Sequence, residues 1–143
     1  MAYLFDSDAI SESRKKRPQP AFVDWLRSID NARRYTSAVV IGELYEGAYY
    51  KAATEGRHFH NIQEDILPSL MVLPFDSSAA EVYGRIAASL ERAGRTLEDL
   101  DVQIAATALL HDLVLVTGNL RHFERIPGLR IDTILAEARA SRN

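Results

Sequence analysis

Five short strand-like runs, each followed by a helical or polar stretch, constrain this chain more than any other feature. They are "AYLF" near the N-terminus, the strand-like residues of "YTS", then "MVLPF", "LVLVT" and "LRI". Runs this brief, bounded by polar and turn residues, suit buried strands. Between them lie stretches of helical period. "AFVDWLRSI" places Phe22, Trp25, Leu26 and Ile29 on one helix face. Ser37 is a natural N-cap for a helix running to about Ala52. "RHFHNIQEDILPSL" predicts another helix with Pro68 near its end, and "DSSAAEVYGRIAASLERAG" a long one stopped at Gly94. A helical tail closes the chain. Strands alternating with helices demand a parallel sheet covered on both faces, an α/β fold of three layers, α/β/α. At 143 residues the expectation is one domain spanning 1–143.

Composition narrows the function classes. Hydrophobic residues make up 47% and charged residues 26%, the proportions of an ordinary soluble protein. There is no cysteine, which excludes disulfides and cysteine-ligated zinc and fits a reducing cytoplasm. "MAYLFDSDAIS" meets acids after four apolar residues, too soon for a signal peptide, and no later run is long enough to span a membrane. A net charge of −3 disfavours indiscriminate nucleic-acid binding. The basic residues are nonetheless grouped, at Arg14–Pro18, Ala32–Arg34 and Arg121–Arg125.

One carboxylate stands where the helical period predicts an apolar residue. In "DLDVQIAATALLHDLVLVTGN", Ile104, Ala105, Ala108 and Leu109 form one apolar stripe, and Asp101 lies on it. A carboxylate facing a core costs several kcal/mol unless something compensates it. Two other acids lean the same way. Asp6 follows "YLF" at a strand end, with Asp8 two residues on, and Glu43 shares a helix face with Val40 and Gly47. Thr117 and Asn119 follow "LVLV" at a second strand end, where parallel sheets bind ligands. Glu46 reads as a solvated helix acid. Three inward acids from three separate elements repel one another unless a divalent cation gathers them. Oxygen ligands select a hard ion, Mg2+ with Mn2+ as a substitute.

At these residues the chain resembles a family. "YLFDSDAISE", "IGELYEGA", "DVQIAATAL" and "LVTGNLRHFERIPGLRI" look like the successive signatures of PIN-domain ribonucleases, specifically the VapC toxins of bacterial toxin–antitoxin pairs. The resemblance runs from Tyr3 to about Ile131. It implies a PIN-like fold, with Asp6, Glu43 and Asp101 as metal-binding acids and Asn119 where many members carry a fourth aspartate. Asp8 departs from the family's usual Asn, so the outer shell stays open among Asp8, Asp99, Asn119 and Glu124. The resemblance also implies a cytoplasmic Mg2+-dependent endoribonuclease that cuts RNA, with tRNA the leading substrate, leaving a 5′-phosphate and a 3′-hydroxyl. A VapB-like antitoxin and a homodimer are implied as partners. The apolar faces around Phe22, Trp25, Tyr45 and Tyr49 are candidates for the antitoxin groove.

Arg14, Arg121, His122 and Arg125 flank the two strand ends and are candidate RNA contacts, each weighed against plain solvated charge. His58 and His60 fall on different helix faces, unlike a helical metal pair. His111 sits near a helix end, where the dipole favours positive charge. Two other functions compete. "YLFDSDAI" also fits a haloacid-dehalogenase-like phosphatase using the Asp6/Asp8 pair, although Lys51 is the last lysine and no acidic pair follows the later strand. A non-catalytic domain that binds RNA or protein is the third reading. It draws on the missing fourth aspartate.

Overall fold

The computed structural model describes residues 1–51 and 55–141, with Glu55 described by its backbone alone. Among these residues five strands form one sheet: β1 (Tyr3–Phe5), β2 (Arg34–Ser37), β3 (Met71–Leu73), β4 (Val114–Val116) and β5 (Ile131–Asp132). All pairings are parallel, in the order β3-β2-β1-β4-β5. The chain winds outward from β1 to β3 on one side, then crosses to β4 on the other. The direction of winding therefore reverses between β1 and β4, where open α/β sheets leave a crevice at their carboxyl ends.

The helices are α1 (Ser7–Ser13), α2 (Pro20–Arg27), α3 (Ala38–Tyr50), α4 (Glu55–His60), α5 (Leu67–Ser69), α6 (Ser77–Arg92), α7 (Asp99–Leu110), α8 (Leu120–Phe123) and α9 (Ile134–Ala140). Their starts follow local chemistry. Asp6, Ser37 and Asp76 each accept a backbone N–H three residues on, from Ala9, Val40 and Ala79. Pro20 opens α2, and Gly94 takes a left-handed φ of 67° just past α6. The expected end of α3 near Ala52 lies outside the described residues.

Two local expectations are corrected. The "RHFHNIQEDILPSL" helix is not uniform: Asn61–Ile66 widens to π winding between α4 and α5, which buries both Ile62 and Ile66. Helix α7 does not carry a single apolar stripe either. Val102, Ile104, Ala105, Ala106, Thr107 and Ala108 are all buried, because α7 packs between α6, α3 and the sheet. Leu109, expected on the stripe, is half-buried against the edge of the core. A helix enclosed on several sides needs small residues all round, and its alanines supply them.

Leu4, Phe5, Leu115 and Val116 form the sheet's contribution to the core. Phe22 is fully buried, and Trp25 packs on it with ring centroids 6.0 Å apart, on Tyr3 at 5.2 Å edge-on and on Phe5 at 6.3 Å. Each such aromatic contact adds about 0.5–1.5 kcal/mol beyond burial. Among the described residues no helix is long and apolar enough to cross a membrane.

Candidate active site

Asp6 is the first residue past β1, and its backbone N–H still donates to Val116 O at 3.2 Å across the β1/β4 pair. The carboxylate is therefore held at the crevice by the sheet itself. Its Oδ1 accepts the Ala9 N–H at 2.8 Å, and the Thr117 hydroxyl donates to the same carboxylate. Asp6 is only 5% exposed. Burial pushes it up to about 7; the Thr117 and Ala9 hydrogen bonds pull it back, while Asp8 and Glu43 push it higher.

Glu43 enters from α3 and is half-buried. Burial raises its pKa first and the charge of Asp101 second, with Ser7 opposing by a hydrogen bond and Glu46 and Glu98 adding repulsion. Its Oε1 is buried with no hydrogen-bond partner among the described residues. A buried carboxylate oxygen left unpaired costs about 1–3 kcal/mol or more. Asp101, third residue of α7, faces the same space, its Oδ2 3.2 Å from His122 Nδ1. That Nδ1 also lies 2.9 Å from the Asn119 amide, accepting from it in one tautomer and donating to Asp101 in the other.

The charge of Glu43 raises the pKa of Asp6, and that of Asp101 raises the pKa of Glu43, so the three acids act on one another in series. Among the described residues, however, no three His, Asp or Glu side chains already stand close enough to enclose an ion. The unpaired Oε1 and the all-oxygen donor set still suit a hard divalent cation, which would draw the three acids inward.

The other anticipated residues scatter. Asp8 is engaged on both oxygens by Arg139 of α9, at 2.9 Å each, and Oδ2 also accepts the Gly118 N–H at 3.1 Å. An Asp8 locked in this way is no general acid, which counts against the phosphatase reading. Asp99 accepts the Tyr83 hydroxyl at 3.1 Å. Glu124 is exposed at the end of α8. Among the basic candidates, Arg14 pairs with Asp65 at 2.7 Å and Arg125 donates to Thr96 O at 3.3 Å. Arg121 is exposed, and His122 belongs to the acidic centre.

Phe22 and Trp25 do not form a groove with Tyr45 and Tyr49. Phe22 is in the core with Trp25 over it, whereas Tyr45 and Tyr49 pack on Phe59 at 5.8 and 4.6 Å. An open groove lies between α1, α3, α4 and the Asn61–Ile66 segment. It has a volume of about 550 Å³, with Ile10, Leu44, Ile62 and Ile66 at its floor and Arg14, Lys15 and Arg57 on its rim. An adjoining cavity, sharing Leu44, Lys51 and His58, reaches Glu43.

Sequence reading missed Ser7 beside Glu43 and the Asp8–Arg139 pair; it named Thr117 only as a strand-end residue and His122 only as an RNA contact, not as the partners of Asp6 and Asp101. Thr117 had a signal, since it immediately follows a strand that pairs with β1. Arg139 had none, standing 131 residues from Asp8. The pair also explains Gly118. A Cβ there would stand 2.6 Å from Asp8 Oδ2 and would overlap the Arg139 guanidinium. Gly118→Ala should therefore destabilise the protein by about 1–3 kcal/mol, read as a lower urea midpoint. An unchanged midpoint would show that the pair moves freely aside.

Residues 3–129 match the PIN domain family, and the chain belongs to it. It is 33% identical over 133 residues to Ribonuclease VapC2 of Haemophilus influenzae, covering 92% of this chain and 97% of that one. It is also 33% identical over 132 residues to the tRNA(fMet)-specific endonuclease VapC of Salmonella typhimurium, with 92% and 97% covered. The crystal structure of DNA-bound VapBC from Salmonella typhimurium superposes with a TM-score of 0.81 at 32% identity, over 92% of this chain and 97% of that one. Within the PIN-domain family this chain stands among the VapC ribonucleases. PIN-domain ribonucleases generally depend on a divalent metal.

Proposed function

We propose that this chain is the toxin of a toxin–antitoxin pair, an endoribonuclease acting on RNA in the cytoplasm, with Asp6, Glu43 and Asp101 holding Mg2+ or, as a substitute, Mn2+. One observation carries the reading: the buried Glu43 Oε1 has no hydrogen-bond partner among the described residues, while the charge of Asp101 bears on Glu43 and that of Glu43 on Asp6. When bound, the cation neutralises these carboxylates, acidifies water and offsets charge developing on a phosphodiester.

The remaining work falls to the chain. Asp6 is held in place at the crevice by the Ala9 N–H and the Thr117 hydroxyl. Ser7 orients Glu43, and His122 orients Asp101. Asn119 adds a neutral amide at the mouth, which can bind a phosphate oxygen or the attacking water without adding to the repulsion. Arg121, exposed beside it, supplies positive charge for the RNA backbone. Arg14 and Arg125 contribute only if the substrate displaces Asp65 and the Thr96 carbonyl.

The Salmonella relative named for tRNA(fMet) makes tRNA the first substrate to try, and the VapBC structures make a VapB-like antitoxin the expected inhibitor. Such an antitoxin would enter the α1/α3/α4 groove, with the toxin as a homodimer. The test is to incubate purified protein with total RNA and Mg2+, then map the new ends. Internal cuts leaving 5′-phosphate and 3′-hydroxyl, abolished by EDTA and restored by Mg2+ or Mn2+, are expected. Cleavage that persists in EDTA would overturn the reading.

A further inference from the structure

Helix α9 reaches α1, beside the acidic centre, through Arg139. Arg139 donates to Asp8 Oδ2 from Nη1 and to Asp8 Oδ1 from Nη2, both at 2.9 Å. It also donates to Glu12 Oε1, from Nη2 at 2.9 Å and from Nε at 3.2 Å. Glu12 is 1% exposed, and it also takes Lys15 and the Gln19 N–H at 3.2 Å each. The guanidinium thus joins α9 to the start of α1, and through Asp8 to the Gly118 N–H. Thr117 and Asn119, on either side of Gly118, touch Asp6 and His122 respectively. Arg139 lies beyond residue 129, outside the stretch that matches the PIN domain family.

Asp8 would otherwise be a fourth acid beside Asp6, and its charge already bears on Asp6. With both its oxygens taken in a planar fork, its charge is offset by the guanidinium that holds it. We infer that Arg139 is a positioning residue that holds Asp8 in a charge-balanced pair beside the Asp6–Glu43–Asp101 centre and so sets that centre's cation affinity. The inference rests on the reading that this centre holds a divalent cation.

The experiment titrates Mn2+ into wild type, Asp8→Asn and Asp8→Asn/Arg139→Gln, followed by water-proton relaxation, with thermal unfolding run in parallel. Asp8→Asn removes one of the two carboxylates on Arg139, leaving the guanidinium less neutralised near the acids, while the Arg139–Glu12 pair is kept to hold α9 in place. Mn2+ affinity should fall about tenfold, the range expected for an outer-shell partner. Removing the arginine as well should bring affinity back to within about threefold of wild type, although the clamp is further broken. A purely structural clamp predicts the reverse, a second loss on top of the first.

Unchanged or tighter binding in Asp8→Asn overturns the inference, as does a folded double variant with no recovery. Should the double variant unfold because Glu12 is stranded, the sign of the Asp8→Asn effect decides alone. Wild type showing no saturable Mn2+ binding would instead sink the metal reading, and this inference with it.

Discussion

Replacing Asp101 by Asn should lower metal-dependent RNA cleavage by at least ~100-fold while leaving the melting temperature within about 3 °C of wild type. The two halves of that result have separate causes. Helix α7 is placed by the buried Val102, Ile104, Ala105, Ala106, Thr107 and Ala108, none of which depends on a charge at 101. Asn keeps the shape of Asp and can still meet His122. What it loses is one negative charge from the set proposed to hold the cation, and a ligand worth several kcal/mol of charge stabilisation corresponds to two or more powers of ten in rate. A second readout follows from Glu43. Asp101 is one of the charges raising its pKa, so in the variant Glu43 ionises at lower pH than in wild type. Full cleavage by a folded Asp101→Asn protein would remove Asp101 from the site.

The winding of the chain was legible because β1, β3 and β4 are short apolar runs and helix starts carry their own caps. Asp6, Ser37 and Asp76 are all capping residue types standing directly ahead of a helical period. The acids were legible for a related reason, since a carboxylate on an apolar helix face or at a strand end breaks the local pattern. Glu12 was not. In "DSDAISES" it looks like any surface helix acid, and what buries it is an arginine 127 residues away. The placement of α7 was misread for a similar reason: alanine fits a stripe and an enclosed helix equally well, and only its neighbours decide. Trp25 and Phe22 show the same limit from the other side. Their spacing gives a shared face but not whether that face meets a groove or the core. Local chemistry is written along the chain, whereas partners distant in sequence are chosen by the fold.

Asp6→Asn should make the metal-free protein more stable at neutral and alkaline pH, not less. The native carboxyl is pushed from 3.8 to about 7, chiefly by burial, which corresponds to about 4 kcal/mol against the ionised form. The sign follows from proton counting. Between these two values the native state binds the proton more tightly than the unfolded chain, so stability falls as pH rises through this range and stays low above it. Asn carries no charge to penalise, and it keeps an oxygen for the Ala9 N–H, so its cap is as good.

The gain should therefore be close to zero near pH 4 and grow to a few kcal/mol by about pH 8, measured by urea unfolding in EDTA. Glu12 tilts both proteins the other way at low pH. Burial raises its pKa, but hydrogen bonds from Arg139, Lys15 and Gln19 hold it lower overall, so its contribution is present above 4.5 and lost on acidification. That effect cancels in the difference between variant and wild type. A gain independent of pH, or a loss at pH 8, would show that the buried Asp6 carries no charge penalty. Adding Mn2+ completes the reasoning. Ion at a hundred times its dissociation constant stabilises by about 2.7 kcal/mol, and wild type should gain this while Asp6→Asn gains far less. A carboxylate that weakens the empty fold and strengthens the loaded one is understandable only where binding, not stability, selects it.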